Sequence, residues 1–177
     1  SVSGTPTTNG VYTFTLQASD GELTTTNEYI VTVVSAPALT ALVSNVAVAK
    51  NGDALTFTAT VSEAVTIAGG TPTLTLDVGG QPLTATYTGG SGSTSLTFTA
   101  TTGAGNDNSV TVTAINLNGA TIIGNTTGQA LLTDALGQVV SNFIVDNSNP
   151  VFSSGATANF AENATGTAYA SAATDAR

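Results

Sequence analysis

Val11-Tyr-Thr-Phe-Thr-Leu-Gln-Ala18 alternates residue by residue, with Val11, Thr13, Thr15 and Gln17 on one side and Tyr12, Phe14, Leu16 and Ala18 on the other. A period of two marks an extended strand, because successive side chains point to opposite faces of a sheet. Residues 28–34 read as its partner, and Asp20-Gly21 supplies the turn between them, so the two runs predict a hairpin. The same pattern recurs along nearly the whole chain. Residues 41–49, 54–61, 73–78, 83–88, 95–101, 109–117, 129–132 and 139–145 all read as strands. Gly- or Asn-bearing turns separate them, at Asn51-Gly52-Asp53, Gly69-Gly70, Gly79-Gly80, Gly89-Gly90, 103–108, Asn118-Gly119 and 134–137. Helical periodicity is almost absent. Short strands at this spacing predict an all-β fold, an antiparallel β-sandwich. Alternation places Leu55, Phe57, Leu74, Leu76, Leu96, Phe98, Val110 and Val112 in its core. Tyr12, Phe14 and Phe143 join them as strand aromatics expected to be buried.

Composition narrows the chemistry. The 177 residues hold 11 acidic and two basic side chains, with no His, Cys, Met or Trp, and a formal net charge of −9. No Lys/Arg stripe exists to neutralise phosphates, which argues against nucleic acid and against an anionic membrane surface. Lacking His and Cys, the chain has none of the usual ligands for zinc, haem or iron–sulfur clusters, and no Ser–His–Asp triad. Paired carboxylates could suggest a glycosidase, but no two acids share an aromatic-lined setting and no Trp can stack a sugar. A non-enzymatic protein is expected. Oxygen donors remain, and these suit hard cations. The most apolar stretch, residues 29–43, is broken by Thr32, Ser35, Pro37 and Thr40, so no membrane-spanning run is expected. No basic-then-apolar leader opens the sequence either.

Two Pro-bearing segments punctuate the strands, Val34-Ser-Ala-Pro-Ala38 and Asp146-Asn-Ser-Asn-Pro150. Proline cannot donate to a central ladder, so both read as linkers. They divide the chain into 1–35, 36–147 and 148–177. Only the middle piece reaches the roughly 100 residues of an immunoglobulin-sized sandwich. The outer pieces read as the last hairpin of one domain and the first strands of another, within a longer chain.

Several motifs resemble known repeats. The stretch 3–21, with Tyr12-Thr-Phe-Thr-Leu16 and Ser19-Asp-Gly21, resembles the closing hairpin of cadherin-like bacterial surface domains. Asp146-Asn-Ser-Asn-Pro-Val-Phe152 resembles the calcium-binding linker of cadherins. Phe160-Ala-Glu-Asn-Ala-Thr-Gly-Thr167 and Ala173-Thr-Asp-Ala176 resemble the opening and the calcium motif of the following domain. The middle piece is similar to immunoglobulin-like repeats of giant bacterial adhesins, through Asn51-Gly-Asp-Ala-Leu-Thr-Phe57, Val61-Ser-Glu-Ala-Val65, Thr71-Pro-Thr-Leu-Thr-Leu76 and Asp134-Ala-Leu-Gly-Gln138.

Calcium takes six to eight oxygens, and Asp146, Asn147, the Ser148 carbonyl and Asn149 offer several in four consecutive residues. The resemblance adds Asp175 as a ligand from the following domain. Arg177 stands where a second Asp is expected, which points to one ion or a weak site. Asp134 is the middle domain's candidate contribution, and Glu63 a weaker one. Glu162 and Asp20 would serve junctions downstream and upstream. Asp53, Asp77 and Asp107 sit beside Gly or Asn and read as turn formers. Asn125-Thr-Thr and Asn163-Ala-Thr match the glycosylation pattern, which short sequences match by chance. The function expected is a stalk segment of a secreted or surface bacterial adhesin, with calcium at an interdomain linker and neighbouring domains of the same chain as partners. One rival is a filament subunit whose end pieces are completed by strands of other copies. The other is a carbohydrate-binding module using Tyr29, Tyr87 or Tyr169.

Overall fold

The computed structural model of the chain describes residues 6–133, 138–155, 165 and 170–174. Among the described residues there are strands and no helix. The first pair is the expected hairpin: β1 (Gly10–Ser19) and β2 (Thr24–Val33) run antiparallel in unbroken register from Gly10↔Val33 to Ser19↔Thr24. The Asp20 carboxylate closes the loop, accepting the backbone N–H groups of Glu22 at 3.1 Å and Leu23 at 2.8 Å. Register puts Tyr12, Phe14 and Leu16 on one face with Tyr29 and Val31. Phe14 and Tyr29 stack with ring centroids 5.5 Å apart. Tyr12 was expected in a core and is instead 46% exposed, and Phe14 is only half-buried. Two strands form one layer, and no second layer lies over this face.

The middle piece builds one sheet from β3 (Leu39–Ser44), β5 (Ala54–Ala68), β6 (Thr73–Val78), β7 (Gln81–Gly89), β8 (Ser93–Thr101), β9 (Thr111–Asn116) and β11 (Val140–Ser141), ordered β11-β3-β5-β8-β7-β6-β9. The two ends of that order meet. Val139 bridges Thr111, Val112 N–H donates to the Gln138 carbonyl at 2.9 Å, and Val140 N–H donates to the Val110 carbonyl at 2.8 Å. Residues 138–141 therefore pair with β9 on one side and β3 on the other. A ring of seven strands results. Closure removes most of the unpaired strand edge that an open sheet would present.

Inside the ring lies a single apolar core. All eight residues chosen by alternation are at most 2% exposed: Leu55, Phe57, Leu74, Leu76, Leu96, Phe98, Val110 and Val112. Phe143 packs edge-on against Phe57 and Tyr87 edge-on against Phe98, each at 5.7 Å. Such pairs add roughly 0.5–1.5 kcal/mol beyond the area they bury.

Several sequence expectations need correction. Residues 41–49 are not one strand. After Ser44 the Asn45 side chain accepts the Thr56 N–H at 2.9 Å, taking over a ladder bond, and the chain turns away to form β4 (Val48–Ala49). β5 does not stop at Val61 but runs to Ala68 through an irregularity between Thr60 and Val65. Its outer half pairs with β10 (Thr121–Gly124), a strand the sequence reading missed, whereas residues 129–132 contribute only a bridge from Ala130 to Ile123. Residues 139–145 split into β11 and β12 (Ile144–Val145) at Asn142, whose φ of +53° breaks an extended run. Both short strands lie parallel to their partners, β11 to β3 and β12 to β4, so pairing is not antiparallel throughout. Asp77 lies within β6, paired with Pro82 and Thr111, not in a turn.

The 34–38 segment is also less of a linker than its proline suggests. Pro37 is fully buried, and its carbonyl accepts the Leu132 N–H at 2.9 Å. Past Pro150, β13 (Val151–Phe152) pairs antiparallel with β14 (Ala173–Thr174).

Candidate functional site

The 146–150 junction sits on a base made by two turns of the middle domain. The first follows β4. Asp53 accepts the Lys50 N–H at 3.0 Å through its carboxylate, and the buried Thr102 hydroxyl accepts the Asp53 N–H at 3.0 Å while donating to the Lys50 carbonyl. This holds the Asn51 N–H outward. The second turn, residues 103–108, presents the carbonyls of Gly103 and Gly105 and the side chain of Asn106.

Asn147 plugs into both. Its Oδ1 accepts the Asn51 N–H at 2.5 Å, and its Nδ2 donates to Gly105 O at 2.7 Å and Gly103 O at 3.3 Å. Its backbone N–H donates to Asn106 Oδ1 at 2.5 Å, and Asn106 Nδ2 donates to Ser148 Oγ at 3.3 Å. One amide thus satisfies one donor and two acceptors, with oxygen and nitrogen each facing its complement. Asp146 precedes it, its N–H bonded to the Ala49 carbonyl at 2.9 Å and its Oδ1 accepting the Ser148 N–H at 3.0 Å.

Asp107 lies beside Asp146. Its backbone exchanges two 2.9 Å hydrogen bonds with Val145, while Oδ1 accepts Ser109 N–H at 2.9 Å and Oδ2 accepts Gly79 N–H at 3.0 Å. Gly79 has φ +57°, and a Cβ there would stand 2.2 Å from the Asn106 carbonyl oxygen, so this close approach requires glycine. Asn106, Asp107, Asn108, Val145 and Asp146 line a hollow of about 210 Å³.

These donors are hard oxygens carrying two carboxylates, a set whose chemistry fits a calcium-like cation. Asp146, Asp107, Asn106 and Asn108 would hold it. The Asn147 side chain, expected as a ligand, faces the domain and is engaged there. Asn149 is exposed. Asp134, Glu162 and Asp175 lie outside the described residues, as does Tyr169. Among the described residues no group of three or more His, Cys, Asp or Glu gathers in one place.

The weaker candidates are placed elsewhere. Glu63 clasps the loop after β10: Oε2 accepts Thr126 N–H at 2.9 Å and Thr127 N–H at 3.1 Å, and Oε1 accepts the Thr127 hydroxyl at 2.5 Å. The Thr127 hydroxyl, with the two backbone donors, holds its carboxyl below the usual glutamate range. Asp20 is held below its usual range by the Leu23 and Glu22 N–H groups of the hairpin loop. Asn125 accepts the Thr66 hydroxyl at 2.7 Å. Tyr29 is stacked on Phe14, and the Tyr87 hydroxyl accepts the Ser91 N–H at 2.8 Å.

Sequence reasoning missed Asn106 and Asp107 as neighbours of the junction. The run Gly105-Asn-Asp-Asn108 was legible as a turn, but its place beside Asp146 depends on the Asp107–Val145 bridge across 38 residues of chain. Comparison with protein-family models, with curated proteins and with solved structures finds no match.

Proposed function

We propose that the chain is a structural stalk segment of an extracellular bacterial adhesin, not an enzyme. In this reading the middle piece is an immunoglobulin-like sandwich in a tandem array, and calcium binds at the 146–150 junction. The observation that carries the proposal is the fastening of the outgoing chain. Asn147 fixes the first residues past the domain to two of its turns, which a freely jointed tether would not need. Asp146 and Asp107 then place two carboxylates at the point where the next unit begins. Two like charges beside a junction favour a spread of orientations, and a cation shared by both reverses that preference. Tandem β-units extend in this way because each folds locally and touches only its neighbours. The resemblance to adhesin repeats agrees with the surface location and the mechanical role.

Calorimetric titration of the whole chain with calcium tests this reading. Binding at roughly 0.1–1 mM is expected, as for extracellular modules. Asp146→Ala should abolish it and Asp77→Ala, on β6, should leave it unchanged. Equal binding by wild type and Asp146→Ala would overturn the assignment.

A further inference from the structure

The closed ring leaves the hairpin as the chain's largest unfinished surface. Its apolar face carries Tyr12, Leu16, Tyr29 and Val31, all 42–48% exposed, and its outer edges run ten residues each. Edges of that length are normally blunted by Lys, Pro or inward-pointing charge. Between Gly10 and Ser19 there is no charge and no proline, and Glu28, opposite Thr15, stands on the other face. A second unfinished surface lies at the other terminus, where Val151 is 67% and Phe152 74% exposed on the β13–β14 pair.

The two surfaces leave the middle domain at opposite ends. The incoming chain is fixed near Val61, where Ser62 N–H donates to the Ala38 carbonyl and Leu39 pairs with Val61. The outgoing chain is fixed beside Ala49 and Asn51, just before Ala54 opens β5. Residues 54 to 61 of β5 separate these points by roughly 23 Å at about 3.3 Å per residue.

We propose that the hairpin face of one molecule receives the β13–β14 pair of a second copy, so that copies join head to tail. One junction of this kind covers both unfinished surfaces, whereas hairpin packed on hairpin leaves Phe152 in water. Charge agrees with it. In a chain of net charge −9, Tyr12, Phe14, Leu16, Tyr29 and Val31 meet Phe152 and Ala173 without any ionised side chain on either surface. Two copies therefore approach there without like-charge repulsion at the contact. A head-to-tail contact between different surfaces is heterologous and grows into an open chain unless its rotation happens to close. The surfaces are small, below about 1,200 Å² in total, so each junction is weak and reversible. This inference does not depend on calcium.

Sedimentation velocity on the whole chain, with chelator throughout, tests it. The wild-type sedimentation coefficient should rise continuously as concentration increases from about 1 µM to about 1 mM, the range of weak interfaces. Tyr29→Asp and Phe152→Asp should each remain monomeric alone, with the thermal melt of the middle domain unchanged. An equimolar mixture retains one intact hairpin face and one intact strand pair, so it should form dimers and nothing larger. Wild type that stays monomeric at about 1 mM overturns the proposal. So does self-association by either variant alone, which would indicate hairpin on hairpin or another contact, and so does a mixture that remains monomeric.

Discussion

Replacing Asn147 by Ala should destabilise the middle domain while leaving its apolar core untouched. The substitution removes three side-chain hydrogen bonds, from Asn51 N–H and to Gly103 O and Gly105 O. A typical intramolecular hydrogen bond contributes about 0.5–1.5 kcal/mol net. The residue is half-buried, so water can replace part of what is lost, most readily at the longer 3.3 Å contact to Gly103. A loss of about 1.5–3 kcal/mol follows. For a domain of this size that lowers the melting temperature by roughly 6–12 °C, at about 4 °C per kcal/mol. Asn147→Asp should be at least as damaging, because it keeps the acceptor for Asn51 but aims a carboxylate at two carbonyls. Urea denaturation at neutral pH measures both, and limited proteolysis should show faster cleavage between residues 146 and 150. A loss under about 0.5 kcal/mol for Asn147→Ala, with unchanged proteolysis, would refute the view that this amide fastens the junction.

Phe98→Ala should cost about 3–5 kcal/mol by denaturant titration, since the ring is 2% exposed and supports Tyr87 edge-on. Gly79→Ala should lose more than about 2 kcal/mol through left-handed strain and the clash with the Asn106 carbonyl, and should broaden NMR signals of residues 106–107 and 146–148. Glu63 has its carboxyl held below the ordinary value of 4.5, so its stabilising effect is complete above that value and disappears as pH falls through the folded-state value. Glu63→Gln should therefore be less stable than wild type at pH 7, with the gap in urea midpoint closing at pH 3; a gap independent of pH would contradict the carboxylate's role.

Much of the core could be read from the sequence because alternation is strict where a strand buries one face, as in β5, β6 and β8. Alternation could say which face of the hairpin is apolar, but not whether anything covers it, and Tyr12 is exposed for that reason. β10 escaped because Ile122-Ile123 does not alternate and its partner, the outer half of β5, lies beyond an irregularity. Asn45 and Asn142 each redirect the chain through one local choice, a side-chain bond in the first and a positive φ in the second, where composition still favours a strand. At the junction, the oxygen-rich run 146–149 was visible, yet the job of each oxygen was not. Asn147 turns inward because Asn51, Gly103 and Gly105 await it, and those partners are 42 to 96 residues away in sequence.

The most direct test of the calcium-stiffened junction is backbone ¹⁵N NMR relaxation of the whole chain during a calcium titration. Chemical shifts should move at residues 106–109 and 146–152, with half-saturation at roughly 0.1–1 mM, and order parameters at 146–152 should rise while those of β5 and β8 stay level. Shifts scattered over other acidic turns, or no change at 146–152 at about 10 mM calcium, would contradict the account.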